Sequence, residues 1–178
     1  KMSKSKGNVV SPDDLVRDYG CDSLRIYELF VGPPELDSEW DDKGIEGVNR
    51  FLKRFWKLAL DNKDNDVKAT PELIKVRHKL VHDITNRLNS FSLNTVISGF
   101  MEYNNKLMEK GGVDKETLET YIILLAPFAP HVSEELWEQF GHTDSVFHAT
   151  WPEYDEEAMK DDEIEIPVQI NGKTKCTI

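Results

Sequence analysis

Apolar residues recur every three or four positions along most of the chain, with polar and charged residues between them. This spacing places apolar side chains on one face of a helix. Residues that favour helix starts precede several of these stretches, as at Ser11, Asp22 and Thr70, and glycines that favour helix ends follow others, as at Gly20 and Gly141. The pattern predicts helices over about 12–19, 23–31, 41–60, 71–89, 93–110, 114–125 and 131–140.

Only the last residues alternate as a strand does. Residues 164–170 alternate apolar and polar side chains, Asn171-Gly172 follows, and residues 173–178 form a second short stretch. Asn-Gly readily adopts the positive φ that both central positions of a tight turn need, so the segment predicts a β-hairpin. A lone hairpin is marginally stable in water, and the sequence stops where a further strand is expected. We therefore expect a mainly α fold with a short C-terminal β-hairpin that opens a truncated next domain.

Composition narrows the class of protein. The 178 residues are 39% hydrophobic and 31% charged, which is typical of a folded domain rather than a disordered chain. No apolar run approaches the roughly 18 residues of a membrane span, so no membrane partner is expected. The two cysteines, Cys21 and Cys176, provide neither a disulfide framework nor a metal cluster. We expect a reducing compartment, the cytoplasm.

The net charge of −11 argues against nucleic-acid binding only when it is averaged over the whole chain. Residues 1–60 have a net charge of −1, and residues 61–110 have a net charge of +1. Residues 111–178 contain 4 basic and 15 acidic side chains, which accounts for the entire imbalance. The first 110 residues are nearly neutral overall and can therefore form local basic surfaces.

The first eight residues, Lys-Met-Ser-Lys-Ser-Lys-Gly-Asn, are one candidate for chemistry. Lys1, Lys4 and Lys6 place three ammonium groups within six residues, beside small serines and Gly7. Such a loop can neutralise phosphates, because lysine is a compact charge that stabilises a departing pyrophosphate. The competing interpretation is a basic terminus that is only solvated. We call residues 1–7 the lysine loop.

The string Lys-Met-Ser-Lys-Ser is identical to a signature of class I aminoacyl-tRNA synthetases, in which Lys-Gly-Asn commonly follows. Residues 6–16 and 19–25 resemble the segment after that signature in leucyl-tRNA synthetases. Residues 30–35 (Phe-Val-Gly-Pro-Pro-Glu) with Trp40, and residues 44–56, resemble the leucine enzymes rather than their isoleucine or valine relatives.

The resemblance continues towards the end of the chain. Residues 125–131 (Leu-Ala-Pro-Phe-Ala-Pro-His) recur across the same subgroup, and residues 168–173 resemble the opening of the leucine enzymes' C-terminal domain. Lys175-Cys176 departs from the family, where a basic residue and glycine are usual at this point. The sequence thus resembles leucyl-tRNA synthetases over nearly its whole length.

This resemblance implies a role for the lysine loop. Lys1 and Lys4 would be catalytic through stabilisation of pyrophosphate, with Lys4 the principal contact to the ATP phosphates. Lys1, Met2, Ser3, Lys4 and Ser5 would together form the ATP loop. ATP would be a substrate, Mg²⁺ is expected in the full enzyme, and this fragment is expected to bind no cofactor tightly. Because the family's catalytic fold, leucine pocket and editing domain precede this string, we expect the fragment alone to be inactive.

The helix predicted around residue 50 carries a second candidate. At about 100° per residue, one side of it presents Arg50, Lys53, Arg54 and Lys57, which we call the basic stripe. Apolar residues of the same helix fall on the opposite side. A solvated surface is the ordinary interpretation of such a face. The family's helical bundle lies along the tRNA, so the resemblance implies that the stripe contacts the tRNA backbone.

Two histidines and one arginine are weaker candidates. His78 and His82 stand four residues apart, a spacing compatible with a metal ion, but no third ligand accompanies them. We interpret them as a surface pair and predict no metal site. Arg77 projects near the apolar stripe of its helix, so it is expected either to be partly buried and paired or to mark a packing site.

Together these features predict three parts. Residues 1–40 would be the lysine loop and a connecting stem-contact region, residues 41–150 a helical bundle of the class I anticodon-binding type, and residues 160–178 a truncated start of the next domain. The resemblance implies leucine-specific tRNA as a partner, with ATP and leucine in the full enzyme, which esterifies leucine to that tRNA. A monomer is expected.

Three alternatives stay open at this point. The first is the same region of an isoleucyl- or valyl-tRNA synthetase. The second is an independent helical module that binds proteins through a large exposed apolar patch. The third is a stand-alone nucleotide binder, which would need a glycine-rich loop or a second phosphate site that the sequence does not contain.

Overall fold

The computed structural model describes residues 2–160 and the backbone of residues 167–170 and 173–177. The described part is mainly helical, as predicted. Its α-helices are α1 Pro12–Tyr19, α2 Cys21–Phe30, α3 Asp42–Asn62, α4 Pro71–Asn89, α5 Leu93–Met108, α6 Lys115–Leu125 and α7 Pro130–Gln139. Short 3₁₀ turns span Lys4–Lys6, Val146–His148 and Glu157–Met159. None of the helices in these ranges is long and apolar enough to cross a bilayer.

Side-chain caps mark the starts of three of the seven α-helices given above, α3, α4 and α6. Thr70 Oγ1 accepts the Leu73 N–H at 3.2 Å at the start of α4. The carboxylate of Asp114 likewise accepts the Thr117 N–H at 3.0 Å at the start of α6. Ser11 occupies the capping position of α1, but its side chain makes no capping bond. That helix depends instead on proline in its first turn and on acidic side chains there.

The prediction that Asp22 caps the second helix is wrong. α2 begins at Cys21, two residues before the predicted start and directly after Gly20 at φ +86°, so Asp22 lies inside its first turn. The Asp22 side chain contacts α7 instead, where Oδ2 accepts the Val132 N–H at 2.8 Å and Oδ1 lies 2.8 Å from His131 Nδ1. Asp22 therefore satisfies a free N–H in the first turn of a different helix.

One contiguous apolar core joins the helices. At its centre the rings of Phe55 on α3 and Tyr121 on α6 stack with centroids 4.2 Å apart, and Phe100 on α5 lies 5.3 Å from Tyr121. The Tyr121 hydroxyl donates to the Phe100 carbonyl at 2.6 Å, so the buried hydroxyl is satisfied. Burial raises the pKa of Tyr121 well above its usual value.

Residues 149–159 cross the outer face of α4. The Asp155 N–H donates to His78 Nδ1 at 3.1 Å, and the Tyr154 ring meets the His82 ring edge-on with centroids 5.0 Å apart. The two histidines were predicted to form a surface pair, but this segment partly covers both of them. They hold the segment on the bundle.

Two antiparallel strands follow, β1 Pro167–Ile170 and β2 Lys173–Thr177. Their register shifts once, within β1. The predicted Asn171-Gly172 turn lies outside the described residues. The hairpin turn and the truncated domain therefore stay predictions.

Candidate functional site

The backbone of the lysine loop folds back on itself. The Ser3 N–H donates to Asn8 Oδ1 at 2.9 Å, and the Lys6 N–H donates to the Ser3 carbonyl at 3.1 Å. Gly7 follows at φ +64°, a conformation that favours glycine. The amide of Asn8 thus closes a short turn around residues 4–6.

The side chains of this loop are only partly described. Met2 is 44% exposed, and the hydroxyl groups of Ser3 and Ser5 lie 3.2 Å apart. Lys1 and the side chain of Lys4 lie outside the described part of the structure. The predicted contacts of these lysines to phosphate stay predictions.

The basic stripe lies on the outer face of α3. All four of its side chains are exposed, whereas Phe51, Leu52, Phe55 and Ala59 of the same helix are buried in the core. The predicted division of this helix into a basic and an apolar face is therefore confirmed. The four cations of α3 therefore face solvent, while the opposite face of the helix packs in the core.

The four cations differ in their partners. Arg54 donates through Nη2 to Asn105 Oδ1 at 2.8 Å, and Lys57 Nζ pairs with Asp61 Oδ2 at 2.7 Å one helical turn away. Within the described residues, Arg50 and Lys53 make no hydrogen bond or ion pair. Two of the four cations are thus held by neighbours, and among the described residues only Lys57 is paired with a carboxylate.

The stripe lines a groove of about 490 Å³ together with Tyr19, Glu46 and Asn49. Glu46 adds one carboxylate to a wall that is otherwise cationic or neutral. A groove with this excess of exposed cations suits an extended polyanion such as a nucleic-acid backbone.

A second cavity of about 470 Å³ adjoins this groove and shares Tyr19, Asn49 and Lys53 with it. Asn49 Nδ2 donates to the Tyr19 carbonyl and to Ser23 Oγ, both at 3.0 Å, and so ties α3 to the α1–α2 turn. This cavity was not predicted from the sequence. Its walls come from residues 16–23, 49–56 and 131–132, and no local pattern indicates that these segments meet.

A polar network connects α4 to α5 away from both candidate sites. The Tyr103 hydroxyl donates to Asp83 Oδ2 at 2.7 Å, and His82 Nδ1 lies 2.9 Å from Asp83 Oδ1. Burial opposes ionisation of Asp83, but these hydrogen bonds and the charge of Arg87 outweigh it and lower the pKa of Asp83. Burial and the bond to Asp83 raise the pKa of Tyr103 far above its usual value.

The other candidates from the sequence were Arg77 and a possible metal site. Arg77 is 12% exposed, and its Nη1 lies 2.6 Å from Glu116 Oε2 and 3.8 Å from Asp114 Oδ1. The prediction of a partly buried and paired arginine is confirmed. In the part of the chain that the structure describes, no three His, Cys, Asp or Glu side chains are grouped to hold a metal ion.

Family models match both ends of the chain. Residues 71–178 match the anticodon-binding domain of tRNA ligase, and residues 1–41 match the class I tRNA synthetases for I, L, M and V. The chain belongs to the anticodon-binding domain family of tRNA ligases. The α4 to α7 region described above lies within the matched domain.

Individual relatives of this anticodon-binding domain are leucine–tRNA ligases. The enzyme of Rhodopirellula baltica is 43% identical over 100% of this chain and 20% of its own length. That of Bacteroides thetaiotaomicron is 48% identical over 98% of this chain and 19% of its own length. The chain thus spans about a fifth of these relatives. The resemblance to leucyl-tRNA synthetases is confirmed, and these relatives favour leucine over the isoleucine and valine alternatives.

A solved structure agrees with this relationship. The ternary complex of Agrobacterium radiobacter K84 agnB2 LeuRS with tRNA and LeuAMS contains a chain that is 31% identical to this one, with a TM-score of 0.84. The match covers 100% of this chain and 26% of that one. The helical arrangement described here is therefore similar to that of about a quarter of this LeuRS chain.

Proposed function

We propose that this chain is the tRNA-docking region of a leucine–tRNA ligase and that its basic stripe contacts the backbone of leucine-specific tRNA. The observation that carries the proposal is the exposure of four cations on one face of α3, while the opposite face is buried in the core. Because that face is anchored, the cations are presented on a rigid element. The stripe extends over eight residues, from Arg50 to Lys57, and its ends are about 10 Å apart along the helix, enough to meet more than one phosphate.

The type of recognition follows from the side chains. Lysine and arginine contact phosphates without regard to base identity, so the stripe would contribute position and affinity rather than sequence reading. An A-form helix exposes its backbone and hides the base edges of its deep groove, which favours recognition by shape. The acidic last third of the chain opposes RNA binding, so we expect weak affinity and a strong dependence on salt.

The second part of the proposal concerns ATP. Residues 1–41 match the class I synthetase family, and the lysine loop is at the start of that match. In the whole ligase, Lys4 and Lys1 would stabilise the pyrophosphate that leaves when leucine is activated with ATP, and Mg²⁺ would accompany the nucleotide. The turn closed by Asn8 and the positive φ of Gly7 support a loop whose conformation depends on a few local bonds.

The docking proposal is tested by the salt dependence of tRNA binding. The double variant Arg50→Gln/Lys53→Gln removes two charges that make no ion pair among the described residues, so no carboxylate is left unpaired. The affinity for leucine-specific tRNA is measured at several salt concentrations. Each lost phosphate contact should reduce the slope of log affinity against log salt by about one, so the double variant should lose about two.

A matched control removes two charges away from α3. Lys68→Gln/Lys160→Gln changes one lysine in the α3–α4 connection and one after the last 3₁₀ turn, both exposed. This control should keep the wild-type slope, and circular dichroism should show equal helix content in all three proteins. Equal slopes for the two double variants, or no binding by the wild-type chain at low ionic strength, would overturn the docking proposal.

A further inference from the structure

The cavity next to the basic stripe has the volume of a site for a small molecule. It lies between the α1–α2 turn, α3 and the first turn of α7, and its volume of about 470 Å³ is within the usual range for ligand sites. Tyr19, Trp56 and Val132 contribute aromatic and aliphatic surface to its walls. Trp56 is only partly buried, so its ring is accessible to an occupant.

The position of the cavity beside the basic stripe indicates the chemistry of the part of a ligand that extends out of the cavity. Lys53 lines both the cavity and the groove of the stripe, so a molecule that fills the cavity places its neighbouring atoms beside an ammonium group. A flat apolar part joined to an anionic part describes a nucleotide. Aromatic side chains stack on unpaired bases, and cationic grooves follow the attached backbone.

The polar side chains that line the cavity differ in how many hydrogen bonds they can still make to a ligand. Both N–H groups of Asn49 are directed to Tyr19 and Ser23, so the side chain has only its carbonyl oxygen left for further bonds. The Asp22 carboxylate also lines the cavity, but its two oxygens already contact His131 and Val132. The Asn49 oxygen is therefore available to an occupant and can only accept, whereas the Tyr19 hydroxyl of the same wall can accept or donate. An oxygen that can only accept prefers a base that carries an exocyclic amine.

We propose that this cavity receives one unstacked nucleobase with an exocyclic amine from the tRNA bound on the stripe, with an adjacent phosphate on Lys53. The inference rests on the proposed function, since it assigns the base to the same tRNA. Unstacked bases are the usual targets of base-specific RNA recognition. The cavity would thus add base preference to a surface that otherwise contacts only phosphates.

Mononucleotides test the cavity without tRNA. AMP, CMP, UMP and ribose 5-phosphate are titrated into the chain while the Asn49 side-chain amide and the Trp56 indole are followed by NMR. AMP and CMP should shift both signals, and UMP should bind about threefold or more weakly because it lacks the amine. Ribose 5-phosphate should leave the indole unchanged. Equal affinities for AMP and UMP, or no shift with any nucleotide, would overturn the proposal.

A blocking variant tests the cavity with tRNA. Val16 is 40% exposed on α1 and lines the cavity, so Val16→Trp should fill it without disturbing the core. Val31→Trp is the control, because Val31 is 38% exposed and does not line this cavity. Val16→Trp should abolish the AMP shifts and lower the affinity for tRNA while the salt slope stays that of the wild type. The control should change neither.

The two proposals fail in different ways. If tRNA binds with the expected salt slope but Val16→Trp has wild-type affinity, the cavity assignment is overturned and the docking proposal stands. If AMP shifts the cavity signals but no tRNA binds, the cavity is a nucleotide site and its assignment to tRNA is overturned.

Discussion

Asp22 on α2 accepts the N–H of Val132 on α7 at 2.8 Å, across 110 residues of sequence. The same carboxylate contacts His131 and Arg25 and is only 5% exposed. α2 lies in the part that matches class I synthetases, and α7 lies in the part that matches the anticodon-binding domain. One buried carboxylate thus bonds the two matched regions together.

Removing this carboxylate should destabilise the fold. Asp22→Ala leaves the Val132 N–H, the Arg25 guanidinium and the His131 ring without their acceptor, so we expect a loss of about 2–3 kcal/mol in the free energy of unfolding. Asp22→Asn keeps one acceptor oxygen and should lose less. Urea denaturation monitored by circular dichroism measures both variants. The exposed Asp13→Asn in α1 is the control, and equal midpoints for Asp22→Ala and this control would contradict the role of Asp22.

The Asp22 bond also shows what sequence patterns can and cannot predict here. Helix bounds follow from prolines, glycines and caps within a few residues, as at Thr70 and Asp114, so they were predicted closely. Asp22 has the same local features as a cap, and only a partner 110 residues away determines its actual role. The contact of His78 with Asp155 has no local signal for the same reason, since the two residues are 77 positions apart.

Of the two candidate sites, one could be predicted from local sequence and the other could not. The basic stripe was predictable because one helix carries all of it, and helical periodicity places its members on one face. The adjoining cavity was not predictable, because three separate segments form its walls. Periodicity contains no information on which helices pack together.

Gly44 in the first turn of α3 should not tolerate a larger residue. A Cβ at this position would lie 2.4 Å from Tyr27 Cε2. Tyr27 cannot easily move, because its hydroxyl donates to the Asp41 carbonyl at 2.7 Å and accepts the Asp41 N–H at 3.0 Å. We expect Gly44→Ala to lower the free energy of unfolding by about 1–3 kcal/mol, as measured by thermal denaturation.

Gly47→Ala is the matched control one turn further along α3. The nearest atom to its Cβ would be Arg50 Nη2 at 4.0 Å, which is open space. Glycine inside a helix is unfavourable relative to alanine, so this substitution should stabilise the chain by about 0.5–1 kcal/mol. The two alanine variants should therefore shift the melting temperature in opposite directions. A shift in the same direction would contradict the close contact with Tyr27.

The Asp83–Tyr103 bond should make stability depend on pH. The pKa of Asp83 is lowered in the folded chain, so its ionised form contributes stability above the unfolded pKa of about 3.9. That contribution is lost as the pH falls from there through the lower folded pKa. Tyr103→Phe removes one of the hydrogen bonds that lower this pKa. The variant should therefore lose less stability than the wild type between about pH 5 and the acid limit.

Urea denaturation at a series of acidic pH values measures this difference. Tyr19→Phe is the control, because the Tyr19 hydroxyl makes no hydrogen bond among the described residues. It should retain the wild-type dependence on pH. Parallel curves for Tyr103→Phe and the wild type would show that the bond to Asp83 does not affect acid stability.

The lysine loop should matter for catalysis in the whole leucine–tRNA ligase. If Lys4 stabilises the departing pyrophosphate, Lys4→Gln should lower kcat for leucine-dependent pyrophosphate exchange by about 10²-fold or more. Lys6→Gln in the same loop is the control and should have a much smaller effect. Comparable losses in both variants would indicate that the loop acts through general charge rather than through Lys4.

The ion pair between Lys57 and Asp61 should divide the basic stripe into strong and weak phosphate contacts. Lys53 makes no ion pair in the described structure, whereas Lys57 Nζ lies 2.7 Å from Asp61 Oδ2. A phosphate at Lys57 must compete with that carboxylate. Lys53→Gln should therefore reduce the salt slope of tRNA binding by about one, and Lys57→Gln should reduce it by less.

Asp61→Asn provides the decisive comparison. It releases Lys57 from its partner at an exposed site, where breaking an ion pair costs the fold little. tRNA binding at low ionic strength should then become tighter and its salt slope steeper than in the wild type. Adding Lys57→Gln to Asp61→Asn should cancel that gain, because the released charge is then absent. If Asp61→Asn leaves the slope unchanged, or if Lys57→Gln alone equals Lys53→Gln, the carboxylate does not restrain Lys57, and Lys57 meets the backbone as Lys53 does.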